Sequence, residues 1–161
     1  MLVHLVAYIE AQRTIANYQM FQGMILFLLA VFFHISAQSG LTSGLKTGFI
    51  IFGLFSLVGG FAYKRTEENL LKSQTKLYHL NSADFRQKEK ERMAKVVKNF
   101  PFIQLIFVVI IIISLVLNLM IHRPFINGLL FSLVVFLIGN LIIESISKKS
   151  IRAYYQVLSQ K

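Results

Sequence analysis

Apolar and polar positions alternate along this chain in long blocks. Four apolar runs, at about 20–37, 45–63, 100–121 and 125–146, separate five polar segments. At a rise of about 1.5 Å per residue, runs of this length cross a hydrocarbon core of about 30 Å. Lipid offers backbone groups no hydrogen-bond partner, so each run is predicted to be a helix. The predicted fold class is an all-α integral membrane domain of four transmembrane helices, one domain over residues 1–161. The first run is read as a span, not as a cleaved leader, because it exceeds a typical signal-peptide core.

Two of the polar segments are short. Residues 38–44 carry Ser, Gly and Thr, a turn composition, and His122-Arg123-Pro124 is a tight turn whose proline can open the next helix. The other three are longer and amphipathic. Leu2, Leu5, Val6 and Ile9 share one helix face. Leu70, Leu71 and Leu77 share another, with Tyr63 and Tyr78 nearby. Phe85, Met93, Val96 and Phe100 form a third stripe; Ile151, Tyr154, Tyr155 and Leu158 form a fourth. These spacings are those of a helix stripe. Asn81-Ser82, followed by Asp84, reads as a break, an N-cap and an acidic first turn, making 64–99 a hairpin of two helical arms. If each span continues upright into its arm, four stripes meet as a second bundle. The rival arrangement lays the arms flat on the headgroups. The similar arm lengths favour the upright form.

Charge gives the layout a direction. Of 17 Lys and Arg, all but Lys46 and Arg123 fall in the first, third and fifth polar segments. Basic residues resist translocation, so both termini and the hairpin are expected in the cytoplasm. A bacterial inner membrane fits this layout. The net charge of +10 would suggest nucleic acid in a soluble chain. Sorted to one side, and with no nucleic-acid motif beside it, it points to anionic headgroups and excludes nucleic acid from the expected partners. An offset of 79 pairs Arg13 with Arg92, Phe21 with Phe100 and Gly60 with Gly139, which suggests a tandem two-helix pseudo-repeat.

Candidate chemistry is sparse. The chain has no cysteine, which excludes disulfides, thiolate metal sites and cysteine nucleophiles. Phosphate-loop, dinucleotide, serine-hydrolase and zinc-protease motifs are absent, so no enzyme activity and no cofactor are expected. Glu144 is the one acid inside a predicted span, and intramembrane acids are costly. With Asn140, Gln104 and Gln22 it could form a polar cluster that binds a cation or relays a proton. The plainer reading pairs Glu144 with Lys148 one turn on and leaves the amides as interhelical glue. Near the other membrane face, His34 and Gln38 end one span while Asn118 and His122 end another, without metal-ligand spacing; no metal site is expected.

Small residues form stripes at Gly53, Ser56 and Gly60, and at Gly128, Ser132 and Gly139. They suit close helix approach in lipid, within the monomer or between copies of a homo-oligomer. The run containing Arg86, Lys88, Lys90 and Arg92, with Lys95 beyond it, reads either as a solvated face or as a docking site for an acidic partner or anionic lipid. Glu10, Glu67, Glu68, Glu89 and Glu91 each have a base within four residues and are expected to form surface pairs. The functional expectation is a non-enzymatic membrane subunit (a sensor, anchor or adaptor) whose basic helical bundle recruits a cytoplasmic protein. The alternatives are an oligomeric channel or small transporter using the intramembrane cluster, and a membrane immunity protein directed at a toxin or phage component.

Overall fold

The computed structural model describes residues 1–35 and 39–160. It is all helix: α1 (Leu2–Ile35), α2 (Gly40–Leu80), α3 (Ser82–Met120) and α4 (Pro124–Ser159). Each is long and apolar enough to cross a membrane. Each also runs well beyond that need: α2, with 41 residues, is about 60 Å long. Every apolar run therefore continues into its amphipathic arm as one unbroken helix. The α1–α2 and α3–α4 connections lie at one pole, here the turn pole. The termini and the α2–α3 turn lie at the other, the terminal pole.

The caps explain where the helices stop. Ser39 caps α2: its side chain accepts from the Thr42 amide at 3.2 Å, and Thr42 Oγ1 accepts from the Ser39 amide at 2.8 Å. This reciprocal box starts α2 at Gly40, five residues before the expected span and inside the expected 38–44 turn. Gln38 lies outside the described residues, as does Ala37. At the terminal pole Asn81 alone separates α2 from α3, and its side chain accepts from the amides of Ala83 and Asp84. Pro124 occupies the first turn of α4 as expected. Pro101 lies inside α3 and has no N–H to return to the Val97 carbonyl.

Two apolar cores hold the helices. The first, towards the terminal pole, joins Leu5, Tyr8 and Ile9 of α1, Phe85, Met93 and Phe100 of α3, and Ile151, Tyr154 and Leu158 of α4. Leu70, Leu71, Leu77 and Tyr78 of α2 pack against it. The four sequence stripes thus meet one another, and the arms stand upright. The second core, towards the turn pole, joins Leu26, Ala30, Leu45 and Phe49, with Phe52 stacked on Phe136 at 5.1 Å.

Backbone contact dominates the crossings along the spans. A Cβ on Gly23 would lie 2.8 Å from the Gly53 carbonyl oxygen, and one on Gly60 would lie 2.9 Å from that of Ala16. Between α2 and α4, Gly44 meets the Phe125 carbonyl and Gly128 meets that of Leu41. The Ser132 hydroxyl fills the space a Cβ on Gly48 would take. Ser56 and Ser132 are fully buried. In this monomer the small residues let α2 approach α1 on one side and α4 on the other, as lipid-facing bundles require where apolar burial gives no net drive. The α3 helix is left at the edge. Its apolar stretch is the most hydrophobic of the four and the least buried, and beyond Phe100 only Ser114 is buried within it.

Candidate functional site

The two cores are separated by a polar layer where all four helices change from apolar to charged sequence. Gln12 is fully buried at its centre. Its Oε1 accepts from the Tyr63 hydroxyl at 2.7 Å and from Ser147 at 3.1 Å, and its Nε2 donates to Ser150 at 2.9 Å. One side chain of α1 thus ties α2 to α4, and its amide oxygen accepts two hydrogen bonds.

One turn towards the terminal pole, charge enters the core. Glu89 is fully buried, and Arg92 grips it with two hydrogen bonds, Nε to Oε2 at 2.8 Å and Nη2 to Oε1 at 2.7 Å. The guanidinium also lies 5.8 Å from the centroid of the Tyr8 ring, which stacks on Tyr154 at 4.7 Å. Burial works against charge on Arg92, but the hydrogen bonds and charge of Glu89 outweigh it and push its pKa up. Burial, followed by the nearby charge of Glu67, pushes Tyr8 up to about 12, so it remains a neutral phenol.

Glu67 is 5% exposed, and its Oε2 has no hydrogen-bond partner among the described residues. Burial raises its pKa, only partly opposed by the charge of Arg92. The Tyr154 hydroxyl is also buried without a partner, and burial raises its pKa above the phenol range. Two buried acids thus lie near one partly buried arginine, which is hydrogen-bonded to Glu89 alone of the two. The expectation of surface pairs is wrong for Glu67 and Glu89, and Arg92 does not belong to a solvated face. The helix spacing carries the signal: Glu89 stands between Phe85 and Met93 on the α3 stripe, and Glu67 between Tyr63 and Leu70 on that of α2.

Beside this layer, towards the spans, opens a cavity of about 480 Å³ bounded by all four helices. Ile15 and Gln19 come from α1 and Tyr63 from α2. Arg92, Lys95, Asn99, Phe100 and Ile103 come from α3, and Asn140, Ile143, Glu144 and Ser147 from α4. It forms where α3 stands off from α1, next to Pro101. Glu144 is half-buried and forms no ion pair among the described residues, with Lys148 or any other base. Lys95, exposed at the rim, also has none.

The expected intramembrane cluster is divided. Asn140 and Glu144 share the cavity. Gln22 instead faces an apolar groove between α1 and α4, beside Gly139, and donates to the Phe136 carbonyl at 2.9 Å. Asn140 donates to the same carbonyl at 2.8 Å. Gln104 is half-buried, lines neither space and makes no hydrogen bond among the described residues. The polar residues at the turn pole do not converge either. Lys46 donates to His34 Nδ1 at 3.5 Å, Asn118 donates to the Asn127 carbonyl at 3.0 Å, and His122 stands apart. Among the described residues no group of three metal-ligating side chains occurs.

The basic run is also sorted. Lys88 pairs with Asp84 at 2.8 Å, Arg86 donates to the Gln160 carbonyl, and Arg92 turns inward. Lys90 and Lys95 remain exposed without ion pairs among the described residues. Comparison with protein-family models, with curated proteins and with solved structures returns no match.

Proposed function

We propose that this chain is a non-enzymatic subunit of a membrane, with four spans and a cytoplasmic bundle that recruits a soluble partner through its basic surface. The orientation rests on the charge asymmetry, since the terminal pole holds nearly all the lysine and arginine. A bacterial inner membrane suits this plan. The tandem two-helix repeat draws support from the shared hairpin plan of α1–α2 and α3–α4.

One observation carries the recruiting role. The apolar stripes of the arms are consumed in their own core, while Lys72, Lys76, Lys90 and Lys98 face outward with no ion pair among the described residues. Apart from Val3 and Leu80, exposed at the terminal pole, such a surface offers a partner mostly positive charge and suits an acidic one. Affinity purification from membranes, with bound proteins identified by mass, tests this. Lys72→Glu with Lys90→Glu should release an acidic soluble protein that the unaltered chain retains; retention by both would remove the basis of the proposal.

A second reading, an ion or solute pathway, draws on Glu144 and Asn140 in the cavity wall. Reconstituted protein would then conduct, and Glu144→Gln would change the current; silent bilayers for both would dismiss it.

A further inference from the structure

The cavity between α3 and the other helices is lined by one acidic and one basic side chain that form no ion pair among the described residues. Lys95 stands at its rim and Glu144 in its wall, and they do not pair with each other. Arg92 is already engaged by Glu89. Amides from Gln19, Asn99 and Asn140 complete the polar lining, while Phe100, Ile103 and Ile143 make an apolar wall running into the spans.

Its level matters as much as its lining. At this height Gln19 gives way to Met20, Tyr63 to Lys64, Asn99 to Phe100 and Ile146 to Lys148. If the apolar runs span a bilayer, headgroups surround the protein at this height, and the exposed edge formed by Lys95 and Asn99 faces them.

We propose that the cavity binds the headgroup of a zwitterionic phospholipid with a primary ammonium, phosphatidylethanolamine. The phosphate sits at Lys95, with Asn99 donating. The ammonium sits at Glu144, with Asn140 and Gln19 as neutral acceptors. The first carbons of one acyl chain lie along Phe100 and Ile103. Both lone charges are then paired in a partly dry site, where charge-assisted hydrogen bonds are strongest. A glycerol headgroup would offer Glu144 hydroxyl donors but no cation. A choline headgroup has no N–H to give Glu144. The inference rests on the membrane placement proposed above, not on partner recruitment.

Native mass spectrometry of detergent-solubilised protein tests it, with phosphatidylethanolamine, phosphatidylglycerol and phosphatidylcholine of identical chains added in turn. The unaltered chain should retain the ethanolamine lipid about fivefold better than either other lipid, the effect of one extra charge-assisted contact. Glu144→Gln, which keeps shape and removes charge, should abolish that preference; Glu144→Asp should keep part of it. Lys95→Gln should weaken all three lipids, and Arg123→Gln, at the turn pole far from the cavity, should leave the ethanolamine preference unchanged. Thermal melts of each variant in the same detergent establish that it is folded. Equal retention of the three lipids, or a preference that survives Glu144→Gln in a folded variant, overturns the site while leaving the membrane placement intact. Recovery of the chain from the aqueous fraction without detergent overturns the placement and the site together.

Discussion

Glu89 and Arg92 lie three residues apart on α3 and close on each other inside the bundle, with the carboxylate fully buried and the arginine side chain 29% exposed. Removing one partner leaves the other charged in a poor dielectric. Arg92→Ala should therefore destabilise the fold by about 3 kcal/mol, whereas replacing both residues by methionine should cost less than that single change. Chemical denaturation in micelles, followed by circular dichroism, gives both values; additive losses would mean that the pair is not coupled.

Glu67 predicts a pH dependence. Burial raises its pKa in the folded chain above the ordinary 4.5. The folded form therefore holds its proton at pH values where the unfolded chain has released it, and stability falls as pH rises from about 4.5 towards the raised value. Below that window the group contributes no penalty. Melting temperatures measured across it should decline with pH in the unaltered chain, and Glu67→Gln should flatten the decline. An unchanged slope in the variant would assign the dependence to another group.

The glycine crossings predict a sharp difference between a glycine at a crossing and one beside it. A Cβ on Gly128 would press into the backbone of α2, but one on Gly59 meets only the mobile end of Gln19 at 3.0 Å. Gly128→Ala should cost about 1–3 kcal/mol through overpacking, and Gly59→Ala should be close to neutral. Melting curves of the two variants decide; equal effects would mean that α2 and α4 do not cross as closely as described.

Gln12 predicts non-additive losses. Tyr63→Phe removes one donor and should cost about 1 kcal/mol, while Gln12→Leu takes the acceptor from the Tyr63 hydroxyl and the buried Ser147 hydroxyl and should cost about 2–3 kcal/mol. The double variant should lose less than the sum, because the Tyr63 hydroxyl is no longer there to strand. Denaturation midpoints of the three variants test the coupling.

The spans were legible because apolar length is a one-dimensional property, and α1 to α4 follow it closely. The upright arms were legible for a related reason: the stripe from Phe85 to Phe100 needs a partner, and three stripes of equal length were at hand. The polar layer was not. Gln12 continues the α1 stripe as a neutral amide with no motif to single it out; Glu67 and Glu89 sit on apolar stripes, but a nearby base in sequence makes a surface pair the simpler expectation. Only the packed bundle shows that Arg92 follows Glu89 inward. The cavity depends on α3 standing off from α1, a relation between helices distant in sequence, and so Glu144 was visible as a costly residue while Lys95 was not visible as its counterpart. The cluster of Gln104 with Glu144 was inferred from depth alone, and depth does not fix which way a helix face turns.

The central claim is that the terminal pole lies on the cytoplasmic side of a membrane. The natural absence of cysteine makes the test direct. Single cysteines placed by Ser82→Cys, Ser159→Cys and Arg123→Cys can be probed with a membrane-impermeant maleimide on intact cells and on inverted vesicles. Ser82→Cys and Ser159→Cys should label only in inverted vesicles, and Arg123→Cys only on intact cells. The opposite pattern, or labelling of all three from the outside, would contradict the account.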